Sequence, residues 1–457
     1  MTVRSMTLSE VALTYGGTLM YPDCGFEKVS TDTRQLGSGE LFVALRGEHF
    51  DAHQFLEGAS RQACGMVVER ADKQLRLPQW VVPDTTQALG QLAVLAREQF
   101  SGPLIAVTGS SGKTTVKEMI AAILRVAGPV LVTRGNLNNH IGVPLTLLGL
   151  QSDHQKAVIE MGASAGGEIA HLCRIARPTV SVVTNVLPAH VEGFGSLAGV
   201  AAAKGEIYSD LGVGGVAVLN LDEPWLDQWR AQLSCLNSIT FSATRSDADY
   251  TVSDVMVNSE GRPNFTLECP LGSAGVQLQM PGRHNVANAL AAAACAVSVG
   301  ASLEQVVYGL QAVPAVNGRM QVRSGPGGSR IIDDSYNANP GSVKAAIDTL
   351  VDFSGRRLLV LGDMAELGVD TEVLHREVGR YAAERGVEGF FSCGPLAAVA
   401  AAEFELVRGA DNVQVIEDKI VLAETLTKML DADTTVLIKG SRSAGMENVV
   451  LRLVGEV

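Results

Sequence analysis

The 457-residue chain has no cysteine pair spaced Cys-x-x-Cys. Its seven cysteines, at positions 24, 64, 173, 235, 269, 295 and 393, form an odd and unpatterned set. That usage excludes a disulfide framework or a paired-cysteine zinc site and fits buried thiols in a reducing compartment. No apolar run approaches the roughly 18 residues that a membrane span needs, and the alanine-rich stretch 289–299 is too short. Met1 to Glu10 carries no apolar core after Arg4, so no leader is expected. Positive charge is scarce: 36 Lys and Arg against 49 Asp and Glu leave a net −13. This excludes a broad nucleic-acid surface, so any anionic ligand must be held by local N–H groups and a few cations. A soluble cytoplasmic protein is expected.

What is present points to phosphate. The β-branched run Leu104-Ile105-Ala106-Val107-Thr108 leads into Gly109-Ser110-Ser111-Gly112-Lys113-Thr114-Thr115, and a helical pattern follows through Met119, Ile120, Ile123 and Leu124. Strand, glycine-rich loop and helix N-terminus together make a phosphate cradle. Backbone N–H groups and the helix dipole supply positive potential, Lys113 reaches the outer phosphates, and the Thr114 hydroxyl is placed for Mg²⁺. The loop is a shortened relative of the usual one, since Val107 stands where its first glycine would be.

At this length about three domains are expected, and 46% hydrophobic residues supply their cores. Residues 1–84 read as a small α/β unit with strands at 40–45, 65–69 and 80–82 and a helix at 53–62. Residues 85–313 alternate strand and helix around the cradle, which implies a mostly parallel sheet, with an antiparallel insert over 254–280. Residues 314–457 restart the βα rhythm as a second open, Rossmann-like α/β unit without a P-loop. In such sheets ligands collect at the carboxyl ends of the strands. Glu160 and Asn185 fall there, with His190 on the next loop and Lys204 on the helix beyond. A carboxylate beside a P-loop suits Mg²⁺, which wants hard oxygen donors. Taken singly, Glu160 also reads as a strand-end surface charge, His190 as an ordinary loop histidine and Lys204 as a solvated helix residue.

Several stretches together change that balance. They are Thr108-Gly109-x-x-Gly112-Lys113-Thr114, Glu160-Met161-Gly162, the Asn185–His190 segment, Ala203-Lys204-x-x-Ile207-Tyr208, Gly282-Arg283-His284-Asn285-x-x-Asn288 and Gly318-Arg319. This set resembles the Mur ligase family, the ATP-dependent amide-bond-forming enzymes of peptidoglycan synthesis, over nearly the whole chain. The segments 134–146, 334–340, 361–368 and 439–442 resemble the branch that adds D-alanyl-D-alanine. The Asp-Asn-Pro-Arg motif of the diaminopimelate- or lysine-adding branch is absent.

The resemblance implies ATP and two Mg²⁺ ions. Gly109, Ser110, Ser111, Gly112, Lys113, Thr114 and Thr115 would cradle the nucleotide's phosphates. His284, Asn285 and Asn288 would lie on its adenine side, with Arg319 on phosphate and Asp334, Tyr336 and Asn337 lining it. Thr114, Glu160, His190 and a CO₂-carbamylated Lys204 would serve the metal ions. Lys113, Lys204, His190 and Arg319 would carry the catalysis. The substrate side would comprise Ser30, Thr31, Asp32, Thr33, Arg34, Phe42, Ala44 and Gly47 at the uridine. Asn138, Asn139, Asn339, Lys439, Ser441 and Arg442 would complete it nearer the cleft. The family's Asp-Gly-His reads Asp51-Ala52-His53 here. The implied partners are UDP-N-acetylmuramoyl-tripeptide and D-alanyl-D-alanine, acting on a monomer. Two other readings share parts of this pattern: a P-loop switch with no bond-forming step, and a folylpolyglutamate-type ligase, against which the extra N-terminal unit speaks.

Overall fold

The computed structural model describes residues 6–47, 50–231, 233 and 237–456; Cys235 and residues 1–5 lie outside them. The first unit is a five-stranded sheet of β1 (Thr18–Met20), β2 (Val29–Ser30), β3 (Leu41–Val43), β4 (Gly65–Val68) and β5 (Gln79–Val81), in the order β1-β5-β4-β3-β2. Only β1 runs antiparallel to its neighbour. The expected helix over 53–62 is instead a 3₁₀ turn at Ala52–Phe55 followed by one α-turn at Leu56–Ala59. Asp51 caps the start of this segment by accepting from the His53 N–H.

Helix α1 (Thr85–Glu98) is N-capped by Asp84 and ties the first unit to the second. Its Ala88, Leu89 and Leu92 enter the core around Trp80, whereas Ala93 enters a core of the next sheet.

That next sheet is six-stranded and wholly parallel. Its strands are β6 (Leu104–Thr108), β7 (Val130–Val132), β8 (Lys156–Glu160), β9 (Val180–Val183), β10 (Val216–Asn220) and β11 (Asn237–Phe241). The order is β11-β10-β9-β6-β8-β7, which puts β6 near the centre. Every residue of β6 is buried, because successive side chains enter two different cores: Ile105 and Val107 one, Leu104 and Ala106 the other.

Helix α2 (Lys113–Arg125) follows the loop after β6, and α3 (Leu197–Gly205) follows β9. The helix expected to carry Lys204 stops as an α-helix at Gly205 and tightens to 3₁₀ at Glu206–Tyr208. An antiparallel sheet of β12 (Thr251–Val257), β13 (Pro263–Cys269) and β14 (Gly272–Gln277) covers one flank. Helices α4 (His284–Ser298) and α5 (Leu303–Ala312) close the core against α2. A Cβ at Gly309 would sit 2.4 Å from the Ile123 Cα, so only glycine lets α5 lie directly on α2.

The last sheet holds β15 (Gln321–Ser324), β16 (Arg330–Asp334), β17 (Arg356–Gly362), β18 (Gly389–Cys393), β19 (Val413–Val415) and β20 (Thr434–Lys439). Its order is β15-β16-β20-β17-β18-β19, parallel except for the edge strand β15. Helix α6 (Pro340–Val351) follows β16. Strands β7, β11 and β15 were not expected from the sequence. They are short and partly exposed, so neither an apolar run nor a period announces them. No helix among the described residues is long and apolar enough to cross a membrane.

Candidate active site

A cavity of about 960 Å³ opens between the central sheet and the last one. Its floor is the loop between β6 and α2. Gly109 (φ +150°) and Gly112 (φ +79°) are both required there. A Cβ at Gly109 would fall 1.8 Å from Thr184 Oγ1, and one at Gly112 would fall 2.6 Å from Asn288 Oδ1. Helix α2 begins with no side-chain cap, which leaves its first-turn N–H groups for a ligand.

Not every loop N–H is free. Ser110 N–H donates to the Asn185 carbonyl and Ser111 N–H to Asn185 Oδ1, each at 2.9 Å. Asn185 therefore shapes the cradle from behind, and the anion is left to the helix turn and Lys113. Lys113 Nζ turns back onto the Gly109 carbonyl at 2.7 Å. Burial, and then the nearby Arg319 cation, lowers the Lys113 pKa, with Glu160 opposing.

Glu160 ends β8 and is 2% exposed. Its Oε2 accepts from the Thr114 hydroxyl and its Oε1 from the Asn138 amide, each at 2.8 Å. The Glu160 N–H donates to Thr133 Oγ1 at 3.0 Å. Beneath them lies the buried Lys117, its Nζ 3.9 Å from Glu160 Oε2 and donating to the Thr133 carbonyl at 2.8 Å. Asn138, expected at the substrate, thus also holds Glu160. Lys117 and Thr133 were not expected at the site. Lys117 stands one helical turn beyond Thr114, a spacing visible in the sequence, but its burial comes only from the fold.

This donor set suits Mg²⁺. A hydroxyl and a carboxylate meet at the cradle, while no three His, Cys, Asp or Glu side chains converge as a metal cage among the described residues. Mg²⁺ typically takes one or two carboxylates and completes its shell with phosphate oxygens and water.

His190 lines the cavity, and the carboxylate of Glu366, from the last unit, lies against its Nδ1. Burial lowers the His190 pKa, with Lys113 and Lys204 adding to the effect and Glu366 opposing it. Lys204 does not line the cavity wall; it sits behind it, 2% exposed. Among the described residues its Nζ makes no ion pair or hydrogen bond and lies 5.7 Å from the centre of the Phe194 ring. Burial first, then Lys113, drives its pKa well below the usual lysine value.

The rest of the wall comes from the start of α4, on the central unit, and from the last unit opposite. Asn285, Asn288, His284, Arg319, Asp334, Tyr336, Asn337, Asn339 and Lys439 all line the cavity. The Arg319 guanidinium stacks 4.2 Å from the Tyr336 ring centre. Lys439 Nζ binds Asp334 Oδ2 at 2.5 Å and the Asn337 carbonyl at 2.8 Å, and Asp334 Oδ1 accepts from the Met320 N–H. Asn339 Nδ2 crosses the cleft to Ser111 Oγ at 3.1 Å, so the last unit touches the cradle itself.

Asn139 lines the cavity beside Asn138, whereas the other expected substrate residues lie elsewhere. Ser441 is buried, and its hydroxyl faces Ser443. Arg442 pairs with Glu447 and lines a second cavity of about 450 Å³ that shares Gly318 and Tyr336 with the first. Phe42 and Ala44 are wholly buried, and their side chains pack in the first unit's core. Asp32 is held down to about 2 by hydrogen bonds from the Arg34 side chain and backbone. Ser30, Thr31, Thr33 and Gly47 are at least partly accessible, and none of this group lines the main cavity.

Comparison with known proteins places these features in one family. Residues 107–296 match the Mur ligase middle domain and residues 318–442 the Mur ligase, glutamate ligase domain. The UDP-N-acetylmuramoyl-tripeptide--D-alanyl-D-alanine ligase of Escherichia coli K12 is 45% identical over 98% of both chains. A MurF crystal structure from Acinetobacter baumannii superposes with a TM-score of 0.91 at 35% identity, covering 99% of each chain. The MurF ligase of Thermotoga maritima in complex with ADP gives 0.83 at 29% identity, over 94% of this chain and 97% of that one. The chain belongs to the Mur ligase family.

Proposed function

We propose that the chain is an ATP-dependent ligase that joins D-alanyl-D-alanine to UDP-N-acetylmuramoyl-tripeptide in the cytoplasmic assembly of peptidoglycan precursor. The observation that carries this reading is the 960 Å³ cavity, with an uncapped P-loop helix and Glu160 on one wall and Arg319, Asn339 and the Asp334–Lys439 pair on the other. Residues 1–84 hold the uridine end, 85–313 the ATP, and 314–457 close over both as a monomer.

The tripeptide's terminal carboxylate is a poor acyl donor. One of its oxygens attacks the γ-phosphorus of ATP, the bond to the bridging oxygen breaks, and ADP leaves with the electron pair. The dipeptide amine then attacks the carbonyl carbon of the acyl phosphate. The carbon–oxygen bond to phosphate breaks, inorganic phosphate leaves and the amine gives up its proton. Lys113 swings from the Gly109 carbonyl to the outer phosphates, and Arg319 leaves its stack on Tyr336 to join it. The Asn339–Ser111 contact seats the last unit on the cradle, which keeps water from the acyl phosphate.

Thr114, Glu160, His190 and a carbamate on Lys204 would hold two Mg²⁺ ions, which neutralise charge developing on the phosphate oxygens. Burial of Lys204 supports the carbamate. A neutral Lys204 amine attacks CO₂, a nitrogen–carbon bond forms and a proton leaves, turning a cation that would repel metal into a carboxylate-like donor.

ADP release measured with each substrate omitted in turn tests the assignment. It should require both the UDP-tripeptide and D-alanyl-D-alanine, and the product should contain the dipeptide. ATP turnover indifferent to the dipeptide would point to a switch, and glutamate addition to a folylpolyglutamate-type ligase.

A further inference from the structure

Six non-glycine residues among those described have positive φ, and three of them gather at one cleft: His190 (+55°), Met320 (+52°) and Glu366 (+61°). Such conformations cost free energy and concentrate where function holds them in place. Met320 adjoins Arg319, and its N–H is taken by Asp334. The other two meet side chain to side chain across the boundary between the central and last units.

Each side of this contact is built. His190 follows β9 and starts the short helical turn Val191–Phe194. Glu366 lies in the loop after β17, which its neighbours pin to the last core. Met364 and Leu367 are buried there, the Met364 N–H donates to the buried His375 ring at 3.1 Å, and Asp363 accepts from the Ala397 N–H at 2.7 Å. The same loop rests on the His190 turn, where a Cβ at Gly368 would lie 3.8 Å from the Glu192 nitrogen. Glu366 is thus carried to His190 by the seating of the whole last unit.

Imidazole is a poor natural partner for Mg²⁺. A neutral ring also binds metal only through the nitrogen that lacks a proton, and the partner of the other nitrogen decides which that is. We propose that Glu366 is a positioning residue for His190. Across the cleft its carboxylate would accept a hydrogen bond from Nδ1–H and leave the Nε2 lone pair for a divalent cation, so the metal site is completed only when the last unit is seated. This rests on the reading of His190 as a metal ligand. It adds that the competence of that ligand is supplied in trans by the closing unit, which couples cation binding to exclusion of water.

The test uses the full chain as wild type, Glu366→Gln, His190→Ala and the double variant. Nitrogen-15 histidine spectra report the His190 tautomer without metal, with the His190→Ala spectrum identifying its signals. Mn²⁺ serves as the probe of the cation site, measured by electron paramagnetic resonance with ADP and UDP-tripeptide bound. The expected results are an Nδ1-protonated ring in the wild type, loss of that form in Glu366→Gln, and about 10- to 100-fold weaker Mn²⁺ binding. The double variant should be no weaker than His190→Ala alone. An unchanged tautomer and unchanged Mn²⁺ affinity in Glu366→Gln would overturn the proposal. So would additive losses in the double variant, which would make the contact a plain latch. Wild-type Mn²⁺ binding by His190→Ala would instead remove the metal role of His190 itself, and the proposal with it.

Discussion

The central and last sheets are both six-stranded and open, and each has a strand whose following loop leads into a helix facing the cavity. They treat the start of that helix in opposite ways. Between β6 and α2 the N-cap is Gly112 at φ +79°, with no side chain to satisfy the first turn, so its N–H groups and dipole remain for an anion. Between β16 and α6 the N-cap is Asn339, in a capping box with Ser342 and with Pro340 in the first turn. That helix has already spent its N-terminus on its own side chains. A capped helix cannot cradle phosphate, but its capping residue can reach across and touch the sheet that does. The difference between the proposed nucleotide holder and the proposed lid is therefore written in the four or five residues between strand and helix.

The largest expected effect comes from the holder. Lys113→Ala removes the one cation of the uncapped loop and should cost about 10³-fold in turnover while leaving thermal stability close to wild type. The glycines and Asn185, not Lys113, give the loop its shape. Steady-state ADP release together with a melting curve checks both halves, and near-normal turnover would end the ATP assignment. In the last unit the corresponding cation is buried and paired. Lys439 is 3% exposed and paired with Asp334, so Lys439→Met strands a carboxylate and should cost about 3 kcal/mol in denaturant unfolding. One lysine thus carries rate and the other stability, and the reverse pattern would break the comparison.

Next comes Lys204, behind the holder's wall. Lys204→Ala should lose on the order of 10²-fold in turnover with the fold intact. A short carboxylic acid at high concentration should restore part of that loss by filling the space of the carbamate. Full activity without any added acid would sink the carbamate.

Much of this was legible from residues alone because it is local. The apolar β-branched run, two glycines and a lysine spell out β6, its loop and α2. Glu160 at a strand end and Asn339 before Pro340 are likewise visible as positions. What escaped is what depends on partners distant in sequence. Lys117 was not expected at the site, and the fold buries it at 1% exposure under Glu160. Phe42 and Ala44 read as ligand contacts by pattern, yet the core of the first unit claims both side chains. Glu366 belongs to a legible stretch, but nothing nearby in sequence says that it meets His190. Lys204 was legible as a position and not as an environment, since its lack of a counter-ion among the described residues appears only in three dimensions.

The smallest expected effect separates two duties of one residue. Asn339 caps α6, its Oδ1 accepting from the Ser342 N–H at 2.8 Å, and its Nδ2 donates to Ser111 Oγ at 3.1 Å on the holder. Asn339→Ala removes both and should lower stability by about 1 kcal/mol through the lost cap. Asn339→Ser keeps a good capping oxygen, but its side chain is one atom shorter and has no amide to span the cleft. Its stability should stay within a few tenths of wild type, while the crossing bond, about 1 kcal/mol or roughly fivefold in the closing equilibrium, is lost. Hydrogen exchange at 109–112 and 335–339, with and without ATP and UDP-tripeptide, reads the closing step, and urea unfolding reads the cap. If Asn339→Ser closes like wild type, the contact with Ser111 is incidental and the lid is seated by other residues. If it loses substrate-induced protection while keeping its unfolding midpoint, the capped helix takes part in catalysis only through the residue that caps it.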